Sequence, residues 1–248
     1  MTPSEYETAL VTGASSGIGA ATVAAMCRRG MEVHAVARRK DRLDRLAELT
    51  GCITHVLDVR NTHEMCALVE SVEADVLVNN AGLGRAFGSL AESGIDDIDR
   101  TIDTNVSAAL HAVRAVLPRM IERGRGHIVN IGSMAGLYPL PAALYGASKG
   151  AIHLLSTNLR LELQGTGVRV TEICPGRVST EFYDVAYDNA DAVERAKNTG
   201  VDEVTSSDVA DAILYAVDAP WRVNVNRIEL QPTEQTYGGS QFVKREQR

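Results

Sequence analysis

Thr12-Gly13-Ala14-Ser15-Ser16-Gly17-Ile18-Gly19 closes a short apolar run, Ala9–Thr12, and opens a helical pattern, Ile18–Arg29. Glycines between a strand and a helix permit a tight turn and let backbone come close to a pyrophosphate. The helix start then offers free N–H groups and the positive end of its dipole. The spacing is G-x-x-x-G-x-G, not the commoner G-x-G-x-x-G. A glycine-rich turn that holds nothing is the plainer alternative.

Outward from this turn the pattern repeats. Strand-like runs fall at Glu32–Ala37, Ile53–Leu57, Val76–Asn79, His127–Ile131, Val168–Ile173 and Arg227–Leu230. Several are nearly continuous in Val, Ile and Leu, as strands buried on both faces require. Helical patterns lie between them at Arg42–Leu49, Asn61–Val72 and Ile95–Glu122. The alternation predicts one α/β domain over 1–248: a Rossmann-type, doubly wound parallel sheet of about seven strands with helices on both faces. Residues 179–207 are the least regular stretch, polar and beyond a strand end. They read as a substrate loop, or more plainly as a solvated insertion. Residues 232–248 read as a C-terminal tail.

Hydrophobic residues make up 45% and charged residues 23% of the 248, ordinary for a globular chain. A net charge of −7 argues against nucleic acid or an anionic membrane as partner. Cys27, Cys52, Cys66 and Cys174 form no C-x-x-C pair, so no metal site is expected, and free thiols suit the cytoplasm. The segment Met1 to Thr8 is polar, with no signal peptide in view.

The second run ends Ala35-Val36-Ala37-Arg38-Arg39-Lys40. A carboxylate there, about 20 residues past the glycine turn, would hold a ribose 2′-hydroxyl. Cations stand there instead, and guanidinium forks suit a 2′-phosphate. Cations at a helix start also oppose the helix dipole, although a solvated basic helix start remains the plain alternative. NADP is therefore the expected cofactor.

Further motifs accompany the turn: Asn79-Asn80-Ala81-Gly82 after the fourth run, Ser133 after the fifth, Tyr145-Gly146-Ala147-Ser148-Lys149, and Pro175-Gly176 after the sixth. In order and spacing, across nearly the whole chain, they resemble the short-chain dehydrogenase/reductase family. The resemblance implies a catalytic group of Asn105, Ser133, Tyr145 and Lys149. Tyr145 and Lys149, at i and i+4, share a helix face. A phenol near pKa 10 needs about 4 kcal/mol of differential stabilisation to act as a base at neutral pH, and a neighbouring ammonium contributes to it. The resemblance also implies cofactor contacts from Gly13, Ser15, Ser16, Gly17, Ile18, Gly19, Arg38, Arg39, Asp58, Val59, Asn79, Ala81, Gly82, Tyr145, Lys149, Pro175, Gly176, Val178 and Thr180. Asp58 has an alternative as a residue of the helix-capping region before Asn61.

Gly126–Ser133 and the ending Val223–Thr233 are similar to a narrower branch: bacterial 3-hydroxy acid and serine dehydrogenases, sulfoacetaldehyde reductases and clavulanate-pathway reductases. The implied substrate is a small, polar, anionic aldehyde or alcohol. Arg85 and Arg177, each beyond a strand end, are candidates to hold its anionic group, or are internal salt-bridge partners. Reduction of a 3-oxoacyl carrier protein, reduction of a bulky ketone, and NADP sensing without turnover remain alternatives. A homotetramer is expected, because Leu154, Leu155, Leu159, Leu161 and Leu163 wrap more of one helix than a single sheet face can cover.

Overall fold

A computed structural model describes residues 6–85, 89–186, 189–238 and 241–243. The elements run β1 Thr8–Thr12, α1 Gly17–Arg28, β2 Glu32–Ala37, α2 Lys40–Thr50, β3 Ile53–Val56, α3 Thr62–Val72, β4 Val76–Asn79, α4 Ile95–Ile102, α5 Ala108–Glu122, β5 Gly126–Ile131, α6 Ala143–Glu162, β6 Val168–Pro175, α7 Phe182–Ala186, α8 Ala190–Lys197, α9 Ser206–Val217 and β7 Arg227–Leu230. Among the described residues the strands form one seven-stranded sheet in the order β3-β2-β1-β4-β5-β6-β7. Every pairing is parallel. The doubly wound Rossmann-type expectation holds. The strand order reverses between β1 and β4, where such sheets open a crevice at their C-terminal ends.

Side chains alternate across the sheet and divide the core in two. Ala9, Val11, Val33, Ala35, Val76 and Val78 meet α1, α2 and α9 through Val23, Met26, Leu43, Val209 and Ile213. Leu10, Val36, Leu77, Ile128 and Val170 meet α3, α5 and α6 through Met65, Val69, Val113, Val116 and Leu159. Both faces are covered, which is why the strands read as unbroken apolar runs. Among the described residues no helix is long and apolar enough to cross a membrane.

Two expectations need correction. Ile95–Glu122 is not one helix: a π-helical turn, Asp103–Ser107, separates α4 from α5. The turn carries Asn105 inward, where its amide finds three partners. Oδ1 accepts from Leu83 N at 2.8 Å, while Nδ2 donates to Leu83 O at 2.8 Å and to Ser148 Oγ at 3.0 Å. Residues 179–207 are not irregular either, since they hold α7 and α8 and reach the start of α9. α8 carries its own signals. Asn189 Oδ1 caps Asp191 N at 2.8 Å, an acid lies in the first turn, and Arg195 and Lys197 lie in the last. Residues 187–188 of this stretch, and residues 239–240 and 244–248 of the tail, lie outside the described set.

Candidate active site

The C-terminal ends of the strands border a cleft of about 640 Å³, within the usual range for a small-molecule site. The glycine turn, Arg38 and Arg39 line it, as do Tyr138, Tyr145, Phe182 and Phe242.

Thr12 ties the turn to the segment after β4. Its Oγ1 accepts from Asn80 N and Ala81 N, both at 3.0 Å, and Asn80 Nδ2 donates to Thr12 O at 2.8 Å. The approach leaves no room beside Gly13, whose φ is +68°: a Cβ there would stand 2.8 Å from Ala81 Cα. Ser16 precedes α1 without a side-chain cap bond, and the first turn of α1 holds no acid. Its N–H groups are therefore left for an anion.

Ser15, Ser16, Gly17, Ile18, Val59, Ala81, Gly82, Pro175, Gly176, Val178 and Thr180 all line the cleft, as the sequence predicts. Gly19 and Asn79 do not. A Cβ on Gly19 would fall on the carbonyl of Gly13, so this glycine seats α1 against the turn. Asn79 is buried, and its Nδ2 donates to Asn130 Oδ1 at 2.9 Å. Its neighbour Asn80 lines the wall instead. Asp58 lies on the wall, but Arg60 holds its carboxylate through bonds as short as 2.7 Å and keeps its carboxyl below the usual range.

Arg39 reaches over the turn. Its Nη2 donates to Ser16 Oγ at 2.6 Å and to Ser15 Oγ at 2.9 Å. Arg38 lies 3.8 Å from Asp58. The end of β2 presents two guanidinium groups and no carboxylate of its own, which is the donor set a 2′-phosphate requires.

Tyr145 and Lys149 lie in the first turns of α6. Lys149 is buried, and its Nζ donates to Ile131 O at 2.7 Å. That nitrogen is 6.0 Å from the centre of the Tyr145 ring. Gly136 makes this possible, because a Cβ there would lie 2.5 Å from Lys149 O. Gly82 leaves the space between Asn105 and Lys149: a Cβ on it would be 3.4 Å from Asn105 Oδ1 and 3.6 Å from Lys149 Nζ. Ser133 caps the turn after β5, where its Oγ accepts from Ala135 N at 3.1 Å, and it is hydrogen-bonded to the Tyr145 phenol. Asn105, Ser133, Tyr145 and Lys149 thus meet as expected.

Their electrostatics differ from the expectation. Burial pushes the Tyr145 phenol above its ordinary value, and the Ser133 hydrogen bond only partly opposes this. Burial also lowers Lys149 to about 8. Desolvation outweighs the ammonium because Lys149 is itself enclosed and directed at a carbonyl. Without cofactor, Tyr145 is a neutral phenol at neutral pH, poised to give a proton.

The two candidate arginines for an anionic group both have acid partners, the salt-bridge alternative that the sequence left open. Arg85 Nε donates to Asp97 Oδ1 at 2.9 Å, and its Nη1 to Val185 O at 3.2 Å. Arg177 pairs with Glu203 at 2.8 Å, bonds to Ala196 O, and stacks on the Tyr183 ring at 3.9 Å. Residues the motifs did not mark also enter the site. Ser148 links Asn105 to Tyr145, donating to Tyr145 O at 2.8 Å. Arg195 of α8 lines the cleft, and among the described residues no acid is paired with it. Gln235 of the tail also lines it and accepts from Arg177 N at 2.9 Å.

The family model described as short chain dehydrogenase matches residues 7–190. The chain belongs to that family. This short-chain dehydrogenase is 38% identical over 239 residues to the NADP-dependent 3-hydroxy acid dehydrogenase YdfG of Escherichia coli strain K12, covering 93% of this chain and 96% of that protein. It is 39% identical over 239 residues to sulfoacetaldehyde reductase 2 of Chromohalobacter salexigens, covering 92% and 95% of the two chains. Among solved structures, the closed form of a serine dehydrogenase complexed with NADP+ superposes with a TM-score of 0.89 at 36% identity, covering 96% of this chain and 100% of that one. The short-chain dehydrogenase is an oxidoreductase acting on alcohol groups.

Proposed function

We propose that this NADP-dependent oxidoreductase interconverts a small anionic hydroxy acid and its aldehyde or ketone, and that Arg195 holds the anionic group. Arg195 carries this reading: it lines the cleft from α8, beside the segment that follows β6, and among the described residues no acid is paired with it, whereas Arg85 and Arg177 are engaged. The named substrates of similar proteins, 3-hydroxy acids, serine and sulfoacetaldehyde, are small and carry a carboxylate or sulfonate.

The cofactor supplies or accepts the hydride when bound. Gly13, Gly17 and the first turn of α1 would hold its pyrophosphate, and Arg38 and Arg39 its 2′-phosphate. In reduction, Tyr145 donates its proton to the carbonyl oxygen, and Ser133 hydrogen-bonds the same oxygen. The phenolate left behind faces the Lys149 ammonium. Asn105, fixed by Leu83 and Ser148, holds the far side of the lysine pocket. Phe182, Tyr183 and Arg195 of the segment 179–207, with Gln235 and Phe242 of the tail, line the cleft and would form its substrate wall. Leu110 and Ile121 of α5 and Leu154 and Leu161 of α6 are exposed, which supports association into a homotetramer through these helices. The cytoplasm is the proposed location.

A matched pair of small aldehydes, one with a carboxylate and one with a neutral amide, tests the substrate class. The anion should show the higher kcat/KM in the wild type. Arg195→Ala should remove about ten- to a hundredfold of that advantage, mostly through KM, as for a charge-assisted bond remote from the reacting carbon. Preference for the neutral aldehyde would favour an uncharged ketone, for which Met134, Leu140, Phe182 and Phe242 on the wall provide apolar surface.

A further inference from the structure

Glu181 lies between β6 and α7, and two guanidinium groups from the start of α2 hold its carboxylate. Arg42 Nη1 donates to Oε1 at 2.8 Å and to Oε2 at 2.6 Å; Arg39 Nη1 donates to Oε2 at 3.2 Å. The two arginines keep the Glu181 carboxyl below its usual range, so it is a full anion at neutral pH. The clasp lies on the wall of the cleft. On one side the same Arg39 fork bonds Ser15 and Ser16 of the glycine turn. On the other, Phe182, next to Glu181, packs on Tyr145 with ring centres 5.3 Å apart.

The three charged side chains are 36–48% exposed. Ion pairs of that kind are weak and exchangeable in water. A phosphate monoester brings up to two charges and three acceptor oxygens, against the single charge and two oxygens of a carboxylate. Arg39 and Arg42 lie one turn apart at the start of α2, and one carboxylate already spans both forks. An anion with more oxygens can therefore span them too.

We propose that Arg42 completes the 2′-phosphate subsite with Arg39, and that Glu181 is the resident anion which the phosphate displaces. This rests on Arg38 and Arg39 being the 2′-phosphate partners. Glu181 then lowers the affinity gained from the phosphate, because the clasp must open first. A nucleotide without the phosphate leaves the clasp closed and is indifferent to Glu181.

Binding of two fragments, measured by calorimetry on the whole chain without turnover, separates the cases: 2′,5′-ADP, which carries the phosphate, and 5′-AMP, which does not. The wild type should prefer 2′,5′-ADP. Glu181→Gln should tighten 2′,5′-ADP about two- to fivefold, the scale of one exposed ion pair, and leave 5′-AMP unchanged. Arg42→Ala should weaken 2′,5′-ADP about tenfold and also leave 5′-AMP unchanged. A wild-type preference for 2′,5′-ADP that ignores either substitution overturns this inference alone. If neither the wild type nor Glu181→Gln distinguishes the two nucleotides, the assignment of Arg38 and Arg39 falls, and this inference with it.

Discussion

Tyr145 and Lys149 are both buried, and burial acts on them in opposite senses. It favours the neutral phenol of one and the neutral amine of the other. Reduction uses the phenol as it stands and needs the ammonium beside the phenolate that follows. Tyr145→Phe removes the transferable proton and leaves the ring in place. Turnover should fall at least about a hundredfold with NADPH affinity little changed, read by steady-state kinetics and fluorescence titration. Lys149, held near 8, loses its proton as pH rises through that value. The kcat/KM for reduction should therefore fall on the alkaline side from about pH 8. A profile flat to pH 10 would show that the lysine keeps its charge. Neither role needs Arg177, whose guanidinium is taken by Glu203, a partner 26 residues further along the chain. Spacing in the sequence marks Arg177 as near the cleft and says nothing of that partner.

At the scale of elements, the glycine turn and α1 work as one piece. The backbone of Gly13 lies against the α-carbon of Gly19 with no space between them. Gly19→Ala should push α1 off the turn and weaken NADPH binding roughly tenfold or more, as overpacking of a close contact does, while the catalytic group beyond β5 keeps its geometry. Isothermal titration with NADPH reads this directly, and an unchanged affinity would mean that the helix can shift without disturbing the phosphate site. The strands were legible because burial on both faces demands uninterrupted Val, Ile and Leu, as in Val76–Val78. The break at Asp103–Ser107 was not, because the apolar positions on either side of it fit one continuous helical period. Asn79 and Asn80 could not be told apart by type either. Adjacent residues in an extended segment point to opposite sides, and only the pairing of Asn79 with Asn130 shows which one turns away from the cleft. Residues 179–207 looked loop-like because their helices are short and polar; the cap at Asn189 was the available signal.

For the whole molecule, the two faces of the sheet are closed by helices, yet one layer has an outer surface with apolar side chains. Leu154 is 60% exposed and Leu161 72% exposed on α6, while Ile152 and Leu159 of the same helix are buried, Leu159 in the core against the sheet. Apolar surface on the far side of a helix already docked suits a second chain. Light scattering at micromolar concentration should give a mass near four chains. Leu154→Lys with Leu161→Lys should shift it to smaller species without unfolding the sheet, since both side chains point away from the core. A single-chain mass for the wild type would leave this surface unexplained.

The π-helical turn at Asp103–Ser107 makes chain length itself part of the catalytic design. It contains one residue more than regular coiling would accommodate. Deleting a single residue there would let α4 and α5 fuse into one unbroken rod. The asparagine would still be encoded but would no longer face Leu83 and Ser148. The gene thus carries a constraint that a comparison of amino-acid types alone would overlook. At this place an in-frame loss of three nucleotides should cost as much turnover as replacing Asn105, because either change takes the amide away from Leu83 and Ser148.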